Sequence, residues 1–140
     1  MKNVDVLMHV RGTSVFVDDI AEPTGTLHAV LFSSPVAHGV IRRLDTAKAL
    51  TCPGVVAVFT HKDVPGKNQV GHMAPDQPFL AVDALEYIGQ PIAIVVAATR
   101  LQAAAAARHI ELDVHPLTPM LDPMKAAASG QIFGERRVLV

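Results

Sequence analysis

Residues 91–98, Pro-Ile-Ala-Ile-Val-Val-Ala-Ala, form an unbroken apolar run of strand length. Such a run marks a strand covered on both faces, because a strand with one wet face would alternate apolar and polar side chains. It is therefore expected at the centre of a sheet. The residues after it supply the cover for one face. Thr99-Arg100-Leu101-Gln102 has the spacing of a capping box, in which the Thr hydroxyl and the Gln side chain satisfy N–H groups left without partners at a helix start. The pattern predicts a helix from Arg100 to His109 with Ala103, Ala106, Ala107 and Ile110 on its uncharged face. Side chains this small let the helix axis lie close against a sheet. Five consecutive alanines are packing, not chemistry.

Strand-forming residues 26–34 are bounded by Pro23, Gly25 and Pro35, and a second strand is expected over Val40–Leu44. Asp45 is a good N-cap for a short helix through Leu50, ended by the Pro53-Gly54 turn, after which Val55–Thr60 resumes as a strand. Prolines and glycines interrupt any period from His61 to Pro78, and irregular stretches of that length usually carry a function. From His109 to His115 the chain alternates, placing Ile110, Leu112 and Val114 inward. Asp122-Pro123 through Gly130 reads as a last short helix with its cap, its Pro at the first position and its Gly past the end. These elements predict an α+β class: a single compact domain with a mixed sheet and an Ala-rich helix packed on it. A chain of 140 residues buries roughly two thirds of its unfolded surface, enough to fold without disulfides or metal.

Charge and cysteine content narrow the function. Twelve Lys+Arg against 13 Asp+Glu give a net charge of −1, and no basic run is longer than the pairs Arg42-Arg43 and Arg136-Arg137. No extended positive field exists for nucleic acid or an anionic membrane. Cys52 is the single cysteine, so an internal disulfide and a Cys-ligated zinc or iron–sulfur centre cannot be built from this chain. A cytoplasmic location is expected. The first residues carry an acid at Asp5 and no apolar core of a secretory signal, and the longest apolar run falls short of a membrane span.

Four constellations could carry chemistry. Cys52 with His61 would need a third orienting group that the sequence does not suggest, so a small buried hydrophobe is the better reading. His109, Glu111, Asp113 and His115 share one face of a strand, yet ligands along a line cannot all close around one ion. Gly66 to Gly71 superficially has phosphate-loop spacing but lacks the lysine and hydroxyl after the second glycine. Asp18-Asp19 and Asp76 offer carboxylates at no spacing suited to paired acid/base work. No catalytic, cofactor-binding or metal-ligating residue is identified.

Val10-Arg11-Gly12-Thr13-Ser14-Val15-Phe16-Val17-Asp18-Asp19-Ile20, Ser34-Pro35-Val36-Ala37-His38-Gly39 and Pro53-Gly54-Val55-Val56-Ala57-Val58-Phe59-Thr60 follow one another in a familiar order. Asp63-Val64-Pro65-Gly66, Asn68 and Gly89-Gln90-Pro91-Ile92-Ala93 continue it. Over residues 9–135 the chain resembles the opening of the molybdenum-binding large subunit of the xanthine dehydrogenase and aldehyde oxidase family. The resemblance implies an α/β hammerhead domain, with residues 1–140 a fragment of a longer chain or a separately expressed piece. It implies a parent oxidoreductase that hydroxylates a purine or an aldehyde, using a molybdenum-pterin, 2Fe-2S clusters and FAD on other domains or subunits. Those domains and subunits are the expected partners, and self-association of this piece through an exposed apolar patch is expected. No molybdenum ligand or catalytic acid carries over. The loop at Gly71, His72 and Met73 corresponds to a family loop near the mouth of the substrate channel. The leading reading is a non-catalytic structural domain that packs against the molybdopterin-binding domains. Its alternative is an independent small-ligand or protein-interaction module with only architectural similarity.

Overall fold

The computed structural model describes residues 4–71 and 76–130. The apolar run forms β5 (Pro91–Ala97), the middle strand of a three-stranded sheet, flanked by β1 (His28–Ser33) and β3 (Val55–Phe59). A second three-stranded sheet has β2 (Gly39–Asp45) in the middle, between β4 (Ala84–Leu85) and β6 (Glu111–Pro116). The α+β class is as the sequence predicts, but the single mixed sheet is not. All four strand pairs are antiparallel and divide between two sheets. The reason lies in the connections. A parallel pair needs a crossover that returns to its own sheet, whereas the helix after β5 delivers the chain to β6 in the other sheet.

That helix is α3 (Arg100–Ala107). Its buried residues Ala103, Ala106 and Ala107 lie in one cluster with Ala93, Val95 and Ala97 of β5, so small side chains meet small side chains. The cap departs from the expected box in one bond. Thr99 Oγ1 accepts from the Gln102 N–H at 3.2 Å, but the Gln102 carboxamide takes the Thr99 hydroxyl proton at 3.0 Å rather than the Thr99 N–H. The carboxamide then lies over Gly54, where a Cβ would sit 2.4 Å from its Cδ. Gly54, at φ +80°, is a position that no other residue would fill without strain.

The short helix α2 (Ala47–Leu50) takes Thr46 as its N-cap, one residue later than predicted, although the Asp45 carboxylate still accepts the Ala47 N–H at 3.0 Å. The last helix, α4 (Pro123–Ser129), matches expectation: Asp122 accepts from the Met124 and Lys125 N–H groups, and Gly130 ends it at φ +74°. A helix α1 (Val4–Val10) and a single 3-10 turn (Val17–Asp19) near the N-terminus are not foreseen by the sequence pattern. His9 stacks on Phe16 at 5.9 Å and joins the two.

Two buried clusters hold the sheets together. One lies between the first sheet and α3; the other consists of Ala81, Leu85 and Ile92. Phe32 and Leu44 pack against both, so the two clusters act as one core. The irregular stretch after β3 is anchored rather than loose. A 3-10 turn (His61–Asp63) starts it, Asn68 forms two hydrogen bonds with the backbone of Leu80, and Val70 bridges to Gln77. Among the described residues no helix is long and apolar enough to cross a membrane.

Candidate docking surface

The side of the first sheet turned away from α3 is the most unusual surface of the molecule. Strand alternation places Val30, Phe32, Ala93, Val95, Ala97, Val55 and Val58 toward α3, where they join or pack against its cluster. The register then forms two cross-strand rows on the opposite side: Ala29–Val96–Ala57 and Leu31–Ile94–Phe59. All six residues are apolar. An antiparallel sheet with one face in water normally alternates to polar side chains there, and this one does not. Leu31 is 54% exposed and Phe59 43%, while Ile94 and Val96 are half-buried by their neighbours alone. Val56, the extra residue of a bulge in β3, adds a further exposed apolar side chain at the edge. The sequence pattern of β5 predicts cover on both faces; the described residues cover the α3 side and bury Ile92 at the start of the strand, and leave the face of Ile94 and Val96 without a cover. The exposed Val6, Leu7, Met8, Val15, Phe16 and Val17 give the N-terminal segment the same unfinished character.

Charge is gathered elsewhere. On the second sheet Arg43 pairs with Asp45 at 2.6 Å, and Lys48 pairs with Glu111. The Ala47 N–H, and then Arg43, hold the Asp45 carboxyl below its ordinary range, while the Asp45 hydrogen bond raises the Arg43 guanidinium. The hydrogen bond from Lys48 to Glu111 raises the Lys48 ammonium. Beyond β3, the N–H and hydroxyl of Thr60 both donate to Asp63 Oδ2, at 2.8 and 3.0 Å, and lower its carboxyl.

The chemical candidates of the sequence do not converge. Cys52 is half-buried against the helix cluster, and its Sγ donates to the Lys48 carbonyl at 3.4 Å, the behaviour of a packing residue. His109 and the outward side chains of β6 are exposed, with Glu111 engaged by Lys48. Among the described residues no group of three or more His, Cys, Asp or Glu side chains could hold a metal ion. Asp19 accepts the Phe16 N–H at 2.9 Å and so serves the N-terminal turn. Of the channel-loop residues, Gly71 is exposed at φ +128°, and His72 and Met73 lie outside the described residues. Sequence reasoning missed two local devices. The Thr60-His61-Lys62-Asp63 spacing is itself a capping-box signal and could have been found; the Asn68 clamp on Leu80 left no local signal.

Known proteins place the chain in the same frame. The family described as "Aldehyde oxidase and xanthine dehydrogenase, a/b hammerhead domain" matches residues 11–118. A xanthine dehydrogenase of Oryza sativa subsp. japonica is 34% identical over 99% of this chain and 10% of its own length. An aldehyde oxidoreductase of Megalodesulfovibrio gigas is 36% identical over 88% of this chain and 15% of its own. The crystal structure of the aldehyde oxidoreductase from Desulfovibrio desulfuricans superposes with a TM-score of 0.79 at 32% identity, covering 89% of this chain and 15% of that one. The chain thus spans a small part of the length of each relative. It belongs to the aldehyde oxidase and xanthine dehydrogenase family, as its α/β hammerhead domain.

Proposed function

We propose that this chain is a non-catalytic structural domain of a molybdenum hydroxylase, and that it docks onto the molybdopterin-binding domains through the outer face of its first sheet. The single observation behind this reading is the pair of all-apolar rows, Ala29–Val96–Ala57 and Leu31–Ile94–Phe59, left open to water. Contiguous exposed apolar surface of this kind marks an interaction site. The length of the relatives, of which the chain covers 10% and 15% in the two sequence matches, supplies an occupant: the remaining domains of the same subunit.

The donor set of this chain does not fit a 2Fe-2S cluster. A 2Fe-2S cluster takes four protein ligands, chiefly cysteines, and there is one cysteine here. The 2Fe-2S clusters are accordingly assigned to other domains or subunits, and the family reading places molybdenum-pterin and FAD there as well, in an assembly that we take to be cytoplasmic. The substrate of that assembly is a purine or an aldehyde. In the same reading the loop at Gly71, His72 and Met73 borders the substrate channel, with the Asn68–Leu80 hydrogen bonds fixing its base.

The test is the oligomeric state of the 140-residue chain by analytical ultracentrifugation. With no partner domain present, the apolar face should drive reversible self-association. Replacing Leu31 and Phe59 together by Gln should return the chain to a monomer with only a modest fall in its thermal midpoint, because both side chains are already about half exposed. A wild-type chain that stays monomeric at high concentration and binds no apolar dye overturns the proposal.

A further inference from the structure

We propose that the cleft between β2 and the 3-10 turn at His61–Asp63 binds a small oxyanion, the phosphate or carboxylate group of a small molecule. The cleft has a volume of about 390 Å³, within the range of small-ligand sites. Its walls bring together donors that the fold itself leaves unused. Arg42 is the extra residue of a bulge in β2: Ile41 pairs with Val114 and Arg43 with Asp113, and Arg42 between them has no partner on β6. A bulge of this kind re-aims a side chain out of the regular alternation, and Arg42 lines the cleft.

Arg43 is occupied by Asp45, but among the described residues neither Arg42 nor Lys62 forms an ion pair. The Thr46 side chain makes no capping bond to α2. His61, also in the wall, holds the one buried side-chain nitrogen or oxygen without a partner among the described residues, its Nδ1. That nitrogen is closed off from solvent, so it fixes the His61 ring in the wall rather than offering the ligand a contact. Asp83 is the single carboxylate in the lining. Arg42 and Lys62 outnumber it within the lining, and Lys62 also lies in the field of the neighbouring Asp63 carboxylate. The guanidinium fork of Arg42 matches the paired oxygens of a phosphate or carboxylate, and Lys62 supplies a second point charge.

The experiment is an amide-resonance titration of the 140-residue chain with inorganic phosphate. A second arm uses acetate, and a control arm uses sodium chloride at matched ionic strength. Saturable shifts centred on Arg42, Thr46, His61 and Lys62 are expected with phosphate, acetate or both, and the stronger arm names the oxyanion. Arg42→Gln should weaken binding about ten-fold, the loss of one charge-assisted contact of roughly 1.4 kcal/mol, at an unchanged thermal midpoint. Lys62→Gln, remote from the bulge, is the second variant should Arg42→Gln disturb β2. Shifts that never saturate and follow every Lys and Arg alike overturn the proposal, as does saturable binding that both variants leave unchanged.

Discussion

Replacing Leu85 by alanine removes the side chain that fastens one sheet to the other. Leu85 is fully buried and clusters with Ala81 and with Ile92 of the central strand. Its own strand is two residues long, so the backbone ladder contributes little that could compensate. Deleting three carbons from a buried position costs about 2.4 kcal/mol at ~0.8 kcal/mol for each methylene. The cavity left behind brings the total to about 2.5–5 kcal/mol. In a domain with a net stability of roughly 5–15 kcal/mol this is a large fraction. The assay is urea unfolding followed by circular dichroism. The midpoint should fall with an unchanged slope, since the surface exposed on unfolding is nearly the same. The transition should also remain single, because Phe32 and Leu44 pack against both buried clusters and couple them. A loss below about 1 kcal/mol would show that Leu85 does not fill the space between the two sheets. Two separate transitions would show that the sheets do not share a core.

Two further outcomes rest on local geometry. Gly39 lies in β2 between Leu85 and Pro116, and a Cβ there would stand 2.6 Å from Val114 Cγ1 and 3.0 Å from the His115 carbonyl oxygen. The backbone atom cannot swing aside, so Gly39→Ala should destabilise by about 1–3 kcal/mol in thermal unfolding, and an unchanged midpoint would contradict the packing. Asp63 is held as a carboxylate by the Thr60 N–H and hydroxyl, which places its folded pKa below the ordinary value of about 3.9. The stability it contributes is therefore present above that ordinary value and is lost as pH falls through the lower, folded one. Asp63→Asn should flatten the stability curve in this acid window and leave its shape at neutral pH unchanged. A carboxyl resonance of Asp63 titrating at its ordinary value would abolish the effect, and one titrating above it would reverse the sign.

The parts of the fold legible in the sequence are those in which one residue pattern answers one physical demand. The β5 run, the Thr99 cap with its alanine face, and the Asp122-Pro123…Gly130 helix each name their own element. Sheet assignment is different in kind. Whether β2 pairs beside β1 or leaves for another sheet depends on connections and on which apolar faces meet, and no local pattern encodes it. The mixed sheet was therefore the wrong arrangement of strands that were themselves well placed. For the same reason β4, two residues long, and the helix Val4–Val10 left no readable period. The docking face was half legible. The unbroken apolar β5 demanded a second cover, but only the register shows that Ala29 and Leu31 on one side, and Ala57 and Phe59 on the other, continue the same face. The Arg42 cleft was hidden altogether, because a bulge is a property of the pairing rather than of the strand.

The most direct trial of the docking account is site-specific photo-crosslinking in a complete molybdenum subunit that carries this domain. One reactive side chain takes the place of Leu31 on the open sheet face, and another replaces Ala105, which is exposed on α3. Docking through this face should give efficient crosslinks from position 31 to the other domains of the subunit and none from position 105 to the same residues. A position 31 that reacts only with water, while the subunit is otherwise assembled, would show that the apolar face is not where this domain meets the rest of the protein.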